Sequence, residues 1–192
     1  DLGRAGLNLR TAFAAARKWQ QLFLQPKGEF HWFYDQMKLA HREGSFLFIH
    51  AGLDDRIARI ISESGIKKLN KEFRQQVQKD LFDFYYGPLA NSIRTKYREV
   101  DMPLTRQGVE SVRQKGIHAI VHGHLNLPRG QRIMLRKGMV NFQCDATMDR
   151  NTRKKEGLKG QAAAATIFLP QVSSIGVSSD YPFIKLFAPQ LT

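Results

Sequence analysis

The stretch His118-Ala-Ile-Val-His-Gly-His-Leu-Asn126 decides the fold that the sequence predicts. In it a short apolar run leads directly into His122-Gly123-His124. A run of buried β-branched residues followed by polar residues is typical of a central strand whose carboxyl end binds a ligand. A second stretch, Phe46-Leu-Phe-Ile-His-Ala-Gly52, has the same form. The two stretches therefore predict one site at the carboxyl edge of a sheet.

Helices and strands are predicted throughout the rest of the chain. Apolar spacing predicts helices over residues 2–24, 29–43, 54–64 and 106–115, and a charged helical insertion over 67–100 that caps a cleft. Short apolar runs predict strands over 45–49, 117–121, 131–136, 139–143, 163–169, 172–177 and 183–187. The basic segment 149–160 is predicted to be a loop. This order predicts an α/β fold in a single domain over residues 1–192.

The charge balance indicates an anionic partner. The 192 residues include 30 Lys and Arg against 17 Asp and Glu, a formal net charge of +13. This excess favours phosphate esters, phosphoproteins or nucleic acid, and a solvated basic surface is the alternative. No apolar run approaches the roughly 18–20 residues that span a bilayer, so no membrane partner is expected. The one cysteine, Cys144, cannot form an intramolecular disulfide and fits a reducing, cytoplasmic compartment.

The histidines at the two strand ends are candidate metal ligands. Neutral imidazole binds Zn, Mn, Fe or Ni well, and side chains two residues apart on an extended chain leave the same face. His122 and His124 have that spacing, and Gly123 between them removes a side chain from the surroundings of an ion. A zincin helix, a P-loop and a Gly-x-Gly-x-x-Gly turn are all absent from the sequence.

Two motifs resemble those of the calcineurin-like metallophosphoesterases. Phe48-Ile-His-Ala-Gly-Leu53 is similar to one histidine element of that family. Val121-His-Gly-His-Leu-Asn126 is similar to a later one, in the form found in the serine/threonine phosphatase branch. The segment 141–147 and the predicted strand after it resemble the strand pair that closes the fold. The resemblance implies a layered β-sandwich flanked by helices, of which this chain is the C-terminal portion.

The resemblance also implies a function and its metals. It implies a phosphatase-like hydrolase with two divalent metal ions, chosen from Mn, Fe and Zn with Mn favoured. His50 and His124 would bind one of these metals, and His122 would be their neighbour or a further ligand. The implied substrate is a phosphoprotein or a nucleotide.

Further residues have expected roles around these histidines. Asn126 and Asp145 would lie behind the ligands, where Asp145 would fix the tautomer of an imidazole. A structural role at the end of a strand is the alternative for Asp145. Arg129 and Arg150 are candidates for binding the substrate phosphate, because a guanidinium pairs well with phosphate oxygens. A solvated surface role is the alternative for each of them.

Three other elements of the family are missing from the sequence. Asp-x-His, Gly-Asp-x-x-Asp-Arg and Gly-Asn-His-Asp/Glu do not occur in residues 1–192. In the family they precede the His50 element and supply the remaining metal ligands and the catalytic histidine. The expectation is therefore that the catalytic residues lie upstream of Asp1 and that these 192 residues alone are inactive. The alternative is a catalytically inactive basic module that binds nucleic acid or a larger assembly.

Overall fold

The structure, a computed structural model, describes residues 8–93, 103–169 and 173–188, together with Gly3 and Gly6. Its helices are α1 (Leu9–Phe23), α2 (His31–Gln36), α3 (Asp55–Lys79), α4 (Leu81–Tyr86), α5 (Arg106–Arg113) and α6 (Arg150–Lys155), with a 3-10 turn at Pro88–Ser92. Its strands are β1 (Ala40–Glu43), β2 (Phe46–Ile49), β3 (Ala119–His122), β4 (Arg132–Arg136), β5 (Met139–Gln143), β6 (Ala164–Leu169), β7 (Ser173–Ser178) and β8 (Tyr181–Phe187). None of the helices in these ranges is long and apolar enough to cross a membrane.

The strands form two sheets. Five strands make a mixed sheet in the order β1-β2-β3-β5-β4, in which β2, β3 and β5 run parallel and the outer strands β1 and β4 run antiparallel to their neighbours. The strands β6, β7 and β8 form a separate antiparallel sheet. The strands predicted after residue 130 are all present in the described ranges, and β5 joins the parallel centre of the larger sheet rather than a purely antiparallel series.

The two faces of the five-stranded sheet have different coverings. Residues of one face, such as Leu47 and Ile120, are fully buried in a core that α3 and α5 complete. On the other face Phe142 is 3% exposed, and its ring lies 5.1 Å from that of Phe168 and 5.5 Å from that of Phe187, both in the smaller sheet. The predicted α/β class is confirmed: helices flank a mixed sheet, and the second sheet packs on its opposite face.

The helix predicted over 54–64 is confirmed as the first part of α3. Asp54 caps it by accepting a hydrogen bond from the Ile57 amide at 2.8 Å, and the other carboxylate oxygen of Asp54 accepts from Asn91 Nδ2 at 2.6 Å. Gly65, with φ of 76°, interrupts the helix before it continues to Lys79. The described part of the insertion predicted over 67–100 is helical to Ser92, and residues 94–100 lie outside the described ranges.

The helix predicted over 29–43 is wrong beyond Gln36. Residues 40–43 instead form β1, which pairs with β2 through a two-residue turn at Gly44, whose φ is 56°. Asn70 holds this edge strand, because its side chain accepts from the Ala40 amide at 3.1 Å and donates to the Ala40 carbonyl at 2.8 Å. The strand forms because the sheet edge and Asn70 supply backbone partners that a helix-period pattern does not reveal.

The loop predicted over 149–160 is also wrong, because it contains α6. The Asp149 side chain caps this helix by accepting from the Thr152 amide at 2.9 Å. Arg153 is 3% exposed and donates to both carboxylate oxygens of Asp180, at 2.7 and 3.0 Å. It also donates to the backbone carbonyls of Thr147 and Gly160. One buried guanidinium therefore attaches this basic segment to the turn between β7 and β8.

The packing of Phe142 between the sheets predicts a large effect on stability. Phe142→Ala should lower the free energy of unfolding by about 3–5 kcal/mol, because it leaves a cavity between two sheets. Phe183→Ala, at a position 68% exposed, is the matched control and should change it by less than about 0.5 kcal/mol. Urea unfolding followed by circular dichroism measures both, and equal effects would contradict the described packing.

The pair formed by Arg153 and Asp180 predicts a pH dependence of stability. The hydrogen bonds from Arg153 hold the pKa of Asp180 below its usual value. A carboxyl with a depressed folded pKa stabilises the fold above its unfolded pKa of about 3.9 and loses that contribution as the pH falls through the folded value. Asp180→Asn should therefore unfold at lower urea than the wild type at pH 7, and the difference should shrink below pH 4. A difference that is constant with pH would argue against the pair.

Candidate functional site

The carboxyl ends of the three parallel strands meet at one edge of the larger sheet. His50 follows β2, Gly123 follows β3, and Asp145 comes shortly after β5. Pairing continues beyond the strands, since the Gly123 amide donates to the His50 carbonyl at 2.9 Å and the Cys144 amide donates to the His122 carbonyl at 2.8 Å. The two histidine stretches therefore lie side by side, as the sequence predicts.

The rings of His50 and His124 face each other across this edge. Their centroids are 5.3 Å apart and their planes are inclined by 65°. His124 has φ of 70°, a left-handed conformation that costs a non-glycine residue about 1–2 kcal/mol and that often marks functional sites. The chain is thus no longer extended at His124, and the predicted alternation does not apply. This backbone turn places the His124 ring beside that of His50.

His122 is the buried member of the group. It is 7% exposed, and its Nδ1 lies 3.2 Å from the Gly123 carbonyl oxygen. Burial lowers the pKa of His122, and the charges of Arg136 and Arg132 lower it further against the opposing effect of that carbonyl. These surroundings therefore favour the neutral form of the His122 imidazole.

Asp145 and Cys144 form the end of the cleft next to β5. A Cβ atom at Gly123 would lie 3.3 Å from Asp145 Cβ and 3.5 Å from Asp145 Oδ2, so the absence of a side chain at Gly123 lets the carboxylate approach the histidine turn. Cys144 is half-buried, and burial raises the pKa of its thiol, with partial compensation by a hydrogen bond to Thr166. The Cys144 side chain is therefore a neutral thiol.

The opposite end of the cleft comes from β1 and the residues just before it, and holds two residues that the sequence reasoning missed. Lys38 and His41 line the same cleft of about 470 Å³ as the histidines, and the His41 ring lies 6.2 Å from that of Phe48. The sequence does not reveal them, because the apolar spacing over residues 29–43 predicts one helix there. The pair Gly44-Ser45 before an apolar run is a recognised hairpin signal and could have revealed the strand.

Other predicted site residues lie away from this cleft. Asn126 is exposed in the loop after β3, the carbonyl of Arg129 accepts a hydrogen bond from Lys185 of β8, and Arg150 lines a separate pocket beside α6. The cleft lining includes no residue of the described part of the 67–100 insertion. The structure thus places His50, His122, His124 and Asp145 along one cleft, and Asn126, Arg129 and Arg150 are not part of its lining.

Three solved structures with a similar fold are described as phosphatases. A cold-active protein tyrosine phosphatase solved at 1.1 Å superposes with a TM-score of 0.52 and 14% identity over 94% of this chain and 51% of its own. The same kind of enzyme from a psychrophilic Shewanella species gives 0.50 and 15%, over 94% and 52%. A single-residue mutant of a cold-active protein tyrosine phosphatase gives 0.51 and 14%, with the same coverage. No protein-family model and no curated protein matches the chain.

These likenesses establish a shared fold, and the chain spans about half the length of the phosphatases that it matches. They contradict the expected family, because the similar structures are described as protein tyrosine phosphatases and not as calcineurin-like metallophosphoesterases. They give no support to a nucleic-acid partner.

The expected pair of divalent metals is contradicted as well. Across residues 8–93, 103–169 and 173–188, no three His, Cys, Asp or Glu side chains are grouped so that they could hold a metal ion. The similar structures are described as protein tyrosine phosphatases and not as metallophosphoesterases, which also argues against a pair of divalent metals. The metal-ligand roles expected for His50, His122 and His124 depended on those metals and therefore lose their basis.

The surroundings of His122 predict its titration. Its ring should titrate below the usual value of about 6.5, and the fold should lose stability as the pH falls below that value, because the unfolded chain binds the proton more readily. Arg136→Gln should raise the pKa of His122, whereas Lys154→Gln, which removes an equal charge on α6, should not. NMR of the imidazole nitrogens measures this, and titration at or above 6.5 would refute the assignment.

Proposed function

We propose that the cleft at the ends of β2, β3 and β5 binds and hydrolyses a phosphoester. The observation that carries the proposal is the arrangement of His50 and His124, with rings 5.3 Å apart, at the same strand ends as the carboxylate of Asp145. The fold shared with solved phosphatases supports the reaction class. A phosphorylated substrate also fits the net charge of +13.

Substrate binding depends on the imidazoles. A protonated imidazole donates charge-assisted hydrogen bonds, which phosphate oxygens accept strongly. His50 is exposed and His124 is half-buried, so both rings are accessible to a ligand in the cleft. His122 has a different role, because burial lowers its pKa and disfavours a positive charge on its ring.

The proposed hydrolytic step uses one residue as a general base and another as a general acid. Asp145 takes a proton from a water molecule whose oxygen attacks the phosphorus, and the bond from phosphorus to the leaving oxygen breaks. His124 in its protonated form gives its proton to that leaving oxygen, so that inorganic phosphate and an alcohol or phenol are released. Positioned acids and bases of this kind typically accelerate a reaction by about 10²–10⁴-fold.

Cys144 has no part in this proposal as a nucleophile. Thiol nucleophiles react as thiolates, and their pKa is lowered at electropositive, partly exposed positions. Burial has the opposite effect on Cys144 and raises the pKa of its thiol. Attack by water is therefore the step that these residues support.

Hydrolysis of p-nitrophenyl phosphate tests the proposed function. The 192-residue chain should release p-nitrophenol, and His124→Ala should lower kcat by about 100-fold or more through loss of the general acid. Because the proposed step uses no metal, added chelator should leave the rate unchanged.

His118→Ala is the matched control for His124→Ala. His118 is an exposed histidine just before β3, and its backbone amide donates a hydrogen bond to the Ser45 carbonyl, a bond that alanine keeps. The control should retain full activity. Equal rates for the wild type and His124→Ala, or no hydrolysis above the buffer rate, would overturn the proposal.

A further inference from the structure

A basic groove lies next to the histidine cleft, on the other side of β1. Four cationic side chains line it, Lys38 and Arg42 at β1, Lys67 after the break in α3, and Lys115 after α5. The groove has a volume of about 580 Å³. No Asp or Glu from the described ranges is among its lining residues. Among the described residues, the lining of the groove therefore carries only positive formal charge.

Backbone carbonyls hold the charge of Arg42 in place. Its guanidinium donates to three backbone carbonyls, those of Gly44 at 2.7 Å, Lys115 at 2.7 Å and Gly116 at 3.3 Å. These bonds join the β1 turn to the end of α5 and fix the orientation of the guanidinium. Gly116, with φ of 76°, leaves room for it, since a Cβ at that position would lie 2.9 Å from Arg42 Nη2.

The basic groove is continuous with the histidine cleft. Lys38 and His41 line both, so the two depressions meet over β1. One acidic group lies at this boundary: Glu43 Oε2 is 3.8 Å from His41 Nε2, and the Glu43 side chain is 82% exposed. An anionic ligand that extends from the histidines towards β1 thus passes from the histidine cleft into the positively charged basic groove.

We propose that the basic groove binds an acidic peptide segment next to the phosphorylated residue of a protein substrate. The inference rests on the proposed function, because the histidine cleft must hold the phosphate. Neighbouring strands are about 4.8 Å apart, so β1 lies roughly 10 Å from β3 across β2, a distance that about three extended residues cover. The acidic residues of the substrate are therefore expected from the third position beyond the phosphorylated residue.

The walls of the groove favour a peptide over a nucleic acid. Its apolar floor includes Ile61, Ile66 and Ile117, and no Phe, Tyr or Trp side chain from the described ranges lines it. Single-stranded nucleic acids bind largely by stacking bases on aromatic rings, whereas aliphatic walls suit the side chains of a peptide. Opposite charges across such an interface select the partner and speed its association.

Two phosphotyrosine peptides test the groove. One carries three glutamates starting at the third position from the phosphotyrosine, and the other carries glutamines there. The wild-type chain should hydrolyse the acidic peptide with a kcat/KM roughly tenfold higher at low salt, and the preference should fall as salt screens the charges. Lys67→Glu combined with Lys115→Glu should abolish the preference and leave p-nitrophenyl phosphate hydrolysis unchanged.

Lys154→Glu combined with Lys155→Glu is the control of equal net charge. Both residues lie on α6, outside the lining of the groove, so this variant should keep the preference for the acidic peptide.

If p-nitrophenyl phosphate is cleaved but the two peptides are cleaved equally, the groove proposal fails and the proposed function stands. If the α6 variant also loses the preference, the effect is general charge and the proposal fails. Tighter binding of single-stranded DNA than of the acidic peptide would overturn it too, whereas absence of any hydrolysis would overturn the proposed function first.

Discussion

Parallel pairing of β2, β3 and β5 is the constraint on which the rest of the structure depends. The hydrogen bonds continue past the ends of the strands, from the Gly123 amide to the His50 carbonyl and from the Cys144 amide to the His122 carbonyl. Because parallel strands end at one edge, residues almost a hundred positions apart in sequence share a cleft there. A register shift by one residue would turn each of these side chains to the opposite face of the sheet. The pairing thus determines both which side chains are buried in the core and how the histidines are arranged in the cleft.

Packing on the two faces of the sheet keeps this edge in place. Helices cover one face, and a cluster of phenylalanines around Phe142 joins the other face to the smaller sheet. The buried guanidinium of Arg153 ties the segment after β5 to the turn at Asp180. Such interior packing leaves little freedom at the strand ends, which is what a preorganised site requires. The strained backbone of His124 is tolerated within this rigid frame.

The sequence predicted the central strands and the meeting of His50 with His124, because short apolar runs that end at glycine and polar residues are typical of buried strands. It failed over residues 29–43, where helical spacing hid the β1 hairpin and with it the contribution of Lys38 and His41. It also failed in the choice of family: two short histidine motifs suggested a metallophosphoesterase, whereas the similar solved structures are described as protein tyrosine phosphatases. A short motif reflects the local backbone conformation that a site requires, and several kinds of site require the same conformation.

The sequence by itself determined the α/β class, the strands that end in histidine, the helix break at Gly65 and the positive net charge, since each depends on local propensity or composition. Only the tertiary structure decided that β1 is a strand, that Arg153 is buried against Asp180, and that Asn126, Arg129 and Arg150 lie away from the histidines. It also placed Lys38, Arg42, Lys67 and Lys115 around one groove. These features arise from contacts between residues distant in the chain, and the periodicity of a single segment carries no information about its distant partners.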